Sequence, residues 1–151
     1  MQMVKYLSGF RRVAYNSIEE GLSLSIKKAM EREGFEDKGA RMVLVKQDYG
    51  ELVSFLKKHK SPDIIVIDSV QFMELKFSEY KELKAMFPGK LFIYISHIDG
   101  KLPAGLTARK IWRDANVAFY VKAFKAFPVS RYGGGAPVVV NEGLAAEYWG
   151  R

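Results

Sequence analysis

Two uninterrupted apolar runs, IIVI at residues 64–67 and LFIYI at residues 91–95, constrain the fold more than any other feature of the chain. A strand with one face in water alternates apolar and polar residues, whereas a strand covered on both faces is apolar throughout. Helical patterns separate the runs from each other and from two further strand-like segments, RRVAYNSI and RMVLV. Between Gly21 and Glu33, Leu22, Ile26, Ala29 and Met30 recur at helical spacing. In DYGELVSFLKKHK, Asp48 is followed three residues later by Glu51 and then by Leu52, Phe55 and Leu56 on one face, a capping-box start to a helix. A third helix runs from about Ser78 to Met86 and is stopped by FPGK. Strands alternating with helices predict an α/β fold of three layers, a mostly parallel sheet between helices.

The remainder of the chain predicts a short helix from Thr107 to Arg113, a strand VAFYV, and a closing hairpin in APVVVNEGLAAEYW that turns at Asn141 to Gly143. The first residues, MQMVKYLSGF, read as the last turns of a helix, apolar at Met3, Val4 and Leu7 and ended by Gly9. A length of 151 residues suits a single domain over residues 1–151. The absence of cysteine excludes disulfides and thiolate metal sites and fits a cytoplasmic location. Neither a signal-peptide pattern nor an apolar run of membrane-spanning length is present, so no membrane partner is expected.

In parallel sheets, ligand sites collect at the carboxyl ends of strands. The polar residues at those ends are Glu19 and Glu20 after the first strand, Asp68 and Ser69 after the third, and Ser96 and His97 after the fourth. An aspartate closing a run of branched apolar residues is costly to bury unpaired, and a cation-bound phosphate is one partner that would account for it. Each residue also has a purely structural reading. Glu19 and Glu20 suit a helix start, Asp68 a turn cap, and His97 a hydrogen-bonded loop position. Three successive strand ends of this kind favour a site over three coincidences.

The net charge of +7 is uneven, with a net +6 between Lys101 and Arg131. Lys101, Arg109, Lys110 and Arg113 are candidate nucleic-acid contacts, and Arg109 and Arg113 share a helical face. Plain solvated charge is the alternative. The interleaved aromatics Trp112, Phe119, Tyr120, Phe124, Phe127 and Tyr132 suit a core better than base stacking.

RVAYNSIEEG, PDIIVIDSVQ, LFIYISHIDGKLPAG and SRYGG, in this order, resemble the core of RecA-type ATPases, most closely the RadA and DnaB helicase branch. The resemblance implies ATP and Mg2+ as cofactors, with Asp68 holding the metal through water and Ser69 beside it, Glu19 polarising the attacking water, and His97 sensing the terminal phosphate. It implies that DGKLPAG is a mobile loop of the kind associated with DNA. Arg131 matches the arginine of a KNRFG-like motif that reaches toward nucleotide, often across a subunit interface, although Val129 stands where that motif has lysine.

No GxxxxGK[ST] loop occurs, so no glycine-rich segment presents amides and a lysine to phosphates. The resemblance implies that Met1 lies in or just after the helix that follows this loop in the family, making the chain a shortened or degenerate RecA-like core, inactive by itself. In that family the phosphate-loop strand lies between the strands equivalent to LFIYIS and VAFYV. Without it, these two are expected to pair directly or to be covered by another copy or a partner chain. The alternative function is a non-enzymatic module that binds nucleic acid or protein through residues 101–131.

Overall fold

The computed structural model describes residues 1–35 and 41–150. Four parallel strands, β1 (Val13–Ser17), β2 (Met42–Val45), β3 (Ile64–Asp68) and β4 (Leu91–Ile95), form a sheet in the order β2-β1-β3-β4. Register places Ser17 beside Asp68 and Asp68 beside Ile95, so three carboxyl ends lie level.

The run in β3 behaves as expected of a doubly covered strand, whereas β4, at the edge of the sheet, is only partly buried and its Leu91 is exposed. In β3, Ile65 and Ile67 pack against α3 (Tyr49–Leu56), α4 (Phe77–Met86) and α5 (Leu106–Asp114) through Leu52, Leu56, Tyr80, Leu83, Ala108 and Ile111. Ile64 and Val66 face the other way, toward Val4 of α1 (Gln2–Ser8) and Ile26 of α2 (Leu24–Arg32). Alternate side chains of one strand thus enter two cores, which is the three-layer arrangement. Among the described residues no helix is long and apolar enough to cross a membrane.

Local chemistry sets the element boundaries. Asp48 Oδ1 accepts from the Glu51 amide at 2.9 Å while Glu51 Oε2 accepts from the Asp48 amide at 3.0 Å, the reciprocal capping box. Ser23 caps α2, accepting from the Ile26 amide, so Leu22 falls in the preceding turn and is exposed rather than part of the helical stripe. Asn16 at the end of β1 is fully buried. Its Nδ2 donates to the Gln47 carbonyl and its Oδ1 accepts from the Gln47 amide, both at 2.9 Å, extending the β1–β2 ladder past the last strand residue.

Beyond β4 the chain forms a small hairpin of β5 (Ile98–Asp99) and β6 (Leu102–Pro103), then α5, then an antiparallel sheet of β7 (Val117–Lys122), β8 (Lys125–Ser130) and β9 (Val138–Val139). Two expectations are corrected here. The strand VAFYV, in β7, does not pair with β4. It folds back on β8 through the two-residue turn Ala123–Phe124, both at positive φ, a short closure that places it in a separate sheet, so of the two alternatives it is direct pairing with β4 that does not form. The closing segment is not a hairpin turning at Asn141. Asn141 caps α6 (Glu142–Trp149), accepting from the Leu144 amide at 3.0 Å, and the sequence that follows is rich in good helix formers.

Candidate functional site

The level strand ends bring two of the three predicted polar pairs into contact. After β1 the chain turns, with the Ile18 amide donating to the Asp68 carbonyl at 3.0 Å. This turn separates the adjacent glutamates. Glu20 accepts from the hydroxyls of Ser23 and Ser25 and belongs to the start of α2, as its structural reading held. Glu19 instead points across the strand ends, where its Oε2 lies 3.0 Å from His97 Nε2. Glu19 is about one-third exposed and His97 half exposed, so the pair is open to solvent and to a ligand.

Asp68 closes β3, and its Oδ2 accepts the hydroxyl of Tyr15, one strand away on β1. Tyr15 is almost fully buried. Burial first, then the Asp68 hydrogen bond and the nearby carboxylates, push its hydroxyl well above the ordinary tyrosine range, so it stays protonated and donating. Asp68 Oδ1 makes no hydrogen bond among the described residues. Ser69, joined to Asp68 by a cis peptide, is fully buried, and its Oγ accepts from the Phe72 amide at 3.4 Å. Its hydroxyl thus serves the turn after β3.

Gln71 ties these strand ends together. Its Nε2 donates to Ser96 Oγ at 2.8 Å and to the Ala104 carbonyl at 2.7 Å, and its Oε1 accepts from the His97 amide at 3.2 Å. One side chain therefore links the end of β3, the residues after β4 and the exit of the β5–β6 hairpin. Phe72 lies beside the His97 ring, with centroids 5.9 Å apart, and is itself half exposed. Gln71, Phe72 and Tyr15 were not singled out from sequence. The sequence clue was the polar Gln71 set between Val70 and Phe72, directly after the strand that ends in Asp68.

The basic residues are dispersed. Arg131 donates to the Arg113 carbonyl at 3.0 Å and lies 3.8 Å from Asp114, with no contact to Glu19, Asp68 or His97. Arg109 is held by the Pro103 carbonyl at 3.1 Å and by Asp99 at 3.2 Å, bracing the β5–β6 hairpin against α5. Lys110 Nζ lies over the Phe77 ring at 5.6 Å. Lys101 and Arg113 are exposed, and their side chains make no hydrogen bond or ion pair among the described residues. Asp114 gathers Lys84 and Tyr80, each at 2.7 Å, and these two hydrogen bonds hold its carboxyl below the usual range.

The residues fit a cation better than a triphosphate. Magnesium is held by one or two carboxylates plus waters or substrate oxygens rather than by a protein cage, and Asp68 Oδ1 can serve in that way. Among the described residues no group of three or more acidic or histidine side chains is placed to enclose a metal. Phosphates need several convergent donors, and the sequence has no GxxxxGK[ST] loop while among the described residues no lysine makes a hydrogen bond or ion pair with Asp68. A cavity of about 270 Å³ near Gln71 is lined by Glu74, Lys76 and the start of α5, not by Asp68, Glu19 or His97.

No protein-family model matches the chain, and no curated protein shows significant sequence similarity to it.

Proposed function

We propose that the chain is a RecA-like ATPase core module, related to recombination or replicative-helicase ATPases, that carries the cation-binding half of a nucleotide site and does not turn over ATP by itself. Asp68 holds Mg2+ through water with the oxygen that Tyr15 leaves free. Glu19 and His97 hold and orient a water beside that ion, Glu19 as the acceptor and His97 as its hydrogen-bond partner. The observation that carries this reading is the meeting of Glu19 and His97 at 3.0 Å, from the ends of two strands that flank the Asp68 strand.

Calorimetric titration with ATP, with and without Mg2+, tests it alongside a phosphate-release assay. The expected result is weak binding that requires Mg2+, is lost in Asp68→Asn, and is accompanied by no release above background. Binding that is indifferent to Mg2+ and to Asp68→Asn would refute the site. Mg2+-dependent hydrolysis abolished by Asp68→Ala would overturn the inactivity of the chain.

A further inference from the structure

The carboxylates at the strand ends share one restriction. Asp68 Oδ2 accepts the Tyr15 hydroxyl, Glu19 Oε2 lies 3.0 Å from His97 Nε2, and Glu20 Oε2 accepts from both Ser23 and Ser25. Each has one oxygen engaged by a neighbour. The neighbours are not equally firm. His97 is half exposed and the serine bonds lie at the surface, so both can give way to a ligand. Tyr15 is 6% exposed, and its ring is set among Val4, Val13, Ile26, Ile64 and Val66.

Register explains why this hydroxyl meets this carboxylate. Tyr15 pairs with Val66, and Asp68, two residues further along β3, projects from the same face of the sheet as Val66. The phenol ring spans that step along the strands and delivers its hydroxyl to Asp68. Because the ring is close-packed on the α1 and α2 side, it cannot swing away to release the oxygen it holds. Cations differ in what they ask of such a group. Ca2+ takes roughly six to eight oxygens in flexible geometry and readily binds both oxygens of one carboxylate, whereas Mg2+ dehydrates reluctantly, keeps several waters and is content with a single carboxylate oxygen.

We propose that Tyr15 determines which cation the Asp68 site takes: by holding one carboxylate oxygen in the core it leaves a one-oxygen ligand, which serves a hydrated Mg2+ and denies Ca2+ a two-oxygen grip. This rests on the cation reading of Asp68 and adds to it the choice of ion. Tyr15 is a positioning residue, since its hydroxyl acts through Asp68 and not on the cation. Without that hydroxyl both oxygens of Asp68 are free, and the ion that gains is Ca2+. Glu19 offers no ready substitute, because one of its own oxygens is turned to His97. Nor do the described residues supply the larger oxygen cage that Ca2+ favours, since no group of three acidic or histidine side chains is placed to enclose a metal.

Displacement of a Mn2+ reporter from the whole chain tests the choice of ion. Amide broadening at Ile18, Ser69 and Val70 is followed as Mg2+ or Ca2+ is added, in the parent, in Tyr15→Phe and in Asp68→Asn. In the parent, Mg2+ should displace Mn2+ at lower concentration than Ca2+ does. Tyr15→Phe keeps the ring and removes only the hydroxyl, and there the Ca2+ midpoint should fall relative to the Mg2+ midpoint by at least about fivefold. A purely structural role for Tyr15 would move both midpoints together and leave their ratio unchanged. An unchanged ratio, or a parent that prefers Ca2+, would overturn the proposal while Asp68-dependent broadening kept the cation reading intact. The parent preference decides the matter even if Tyr15→Phe fails to fold. Broadening that persists in Asp68→Asn would instead refute the cation reading and the proposal with it.

Discussion

The parallel sheet and the antiparallel sheet are built from the same kinds of residue and end in opposite conditions. In β3, Ile65, Val66 and Ile67 are wholly buried, because helices arrive on both faces before and after the strand. In β7, Val117, Phe119 and Val121 are about half exposed, because α6 covers one face only and among the described residues no strand pairs with the outer edge. Strand propensity is therefore a statement about a surface waiting to be covered, and what covers it is decided by neighbouring elements.

Truncating the two regions should separate them most clearly. Ile67→Ala is expected to cost about 2–5 kcal/mol in urea unfolding, from lost transfer energy and the cavity left behind. Val121→Ala in dilute protein should cost no more than about 0.5 kcal/mol. Equal costs would mean that the C-terminal sheet is packed as tightly as the central one.

A smaller effect is expected where the parallel sheet ends. Asn16→Ala leaves the Gln47 amide and carbonyl without their partners and should destabilise by about 1–3 kcal/mol. Amide exchange at Gln47 should accelerate by more than the global change alone. A loss confined to the global value would show that water replaces the side chain there.

The smallest effect concerns the joint between the regions. Asp114, at the end of α5, binds Tyr80 and Lys84 of α4 on one side and Arg131, after β8, on the other. Its folded pKa lies below the unfolded value, so its contribution is fully present above the unfolded carboxyl pKa of about 4 and is lost as pH falls through the lower folded value. Lys84→Met should flatten the fall in stability below about pH 4 and lower neutral-pH stability by the same amount, a small one since the pair is substantially exposed. An unchanged acid limb would place the ionic tie elsewhere.

What could be read from the sequence followed the range of the interactions involved. The strand IIVI, buried as a whole run, and the helix begun by Asp48 and Glu51, closed by contacts within three residues, both leave a local pattern, and LFIYI was legible as a strand although at the sheet edge it is only partly buried. Asn141 misled because Asn-Glu-Gly suits a turn as well as a cap, and the choice was made by the six residues after it. The site divided in the same way. Glu19, Asp68 and His97 were visible as polar residues at strand ends. The contacts made by Tyr15 and Gln71 join residues distant in sequence and leave no spacing to find. Arg131 was singled out only through the resemblance of SRYGG to a family motif, and its partners, Arg113 and Asp114, are not revealed by that resemblance.

A cation site around Asp68, at the carboxyl ends of β1, β3 and β4, would announce itself in the paramagnetic broadening of amide resonances by substoichiometric Mn2+. Manganese prefers the same oxygen ligands as magnesium and reports weak sites. Ile18, Glu19, Ser69 and Val70 should broaden before residues near the other carboxylates, and Asp68→Asn, which keeps the side-chain shape and the Tyr15 contact, should abolish that preference. Broadening that begins elsewhere, or that survives Asp68→Asn unchanged, would mean that Asp68 holds no cation.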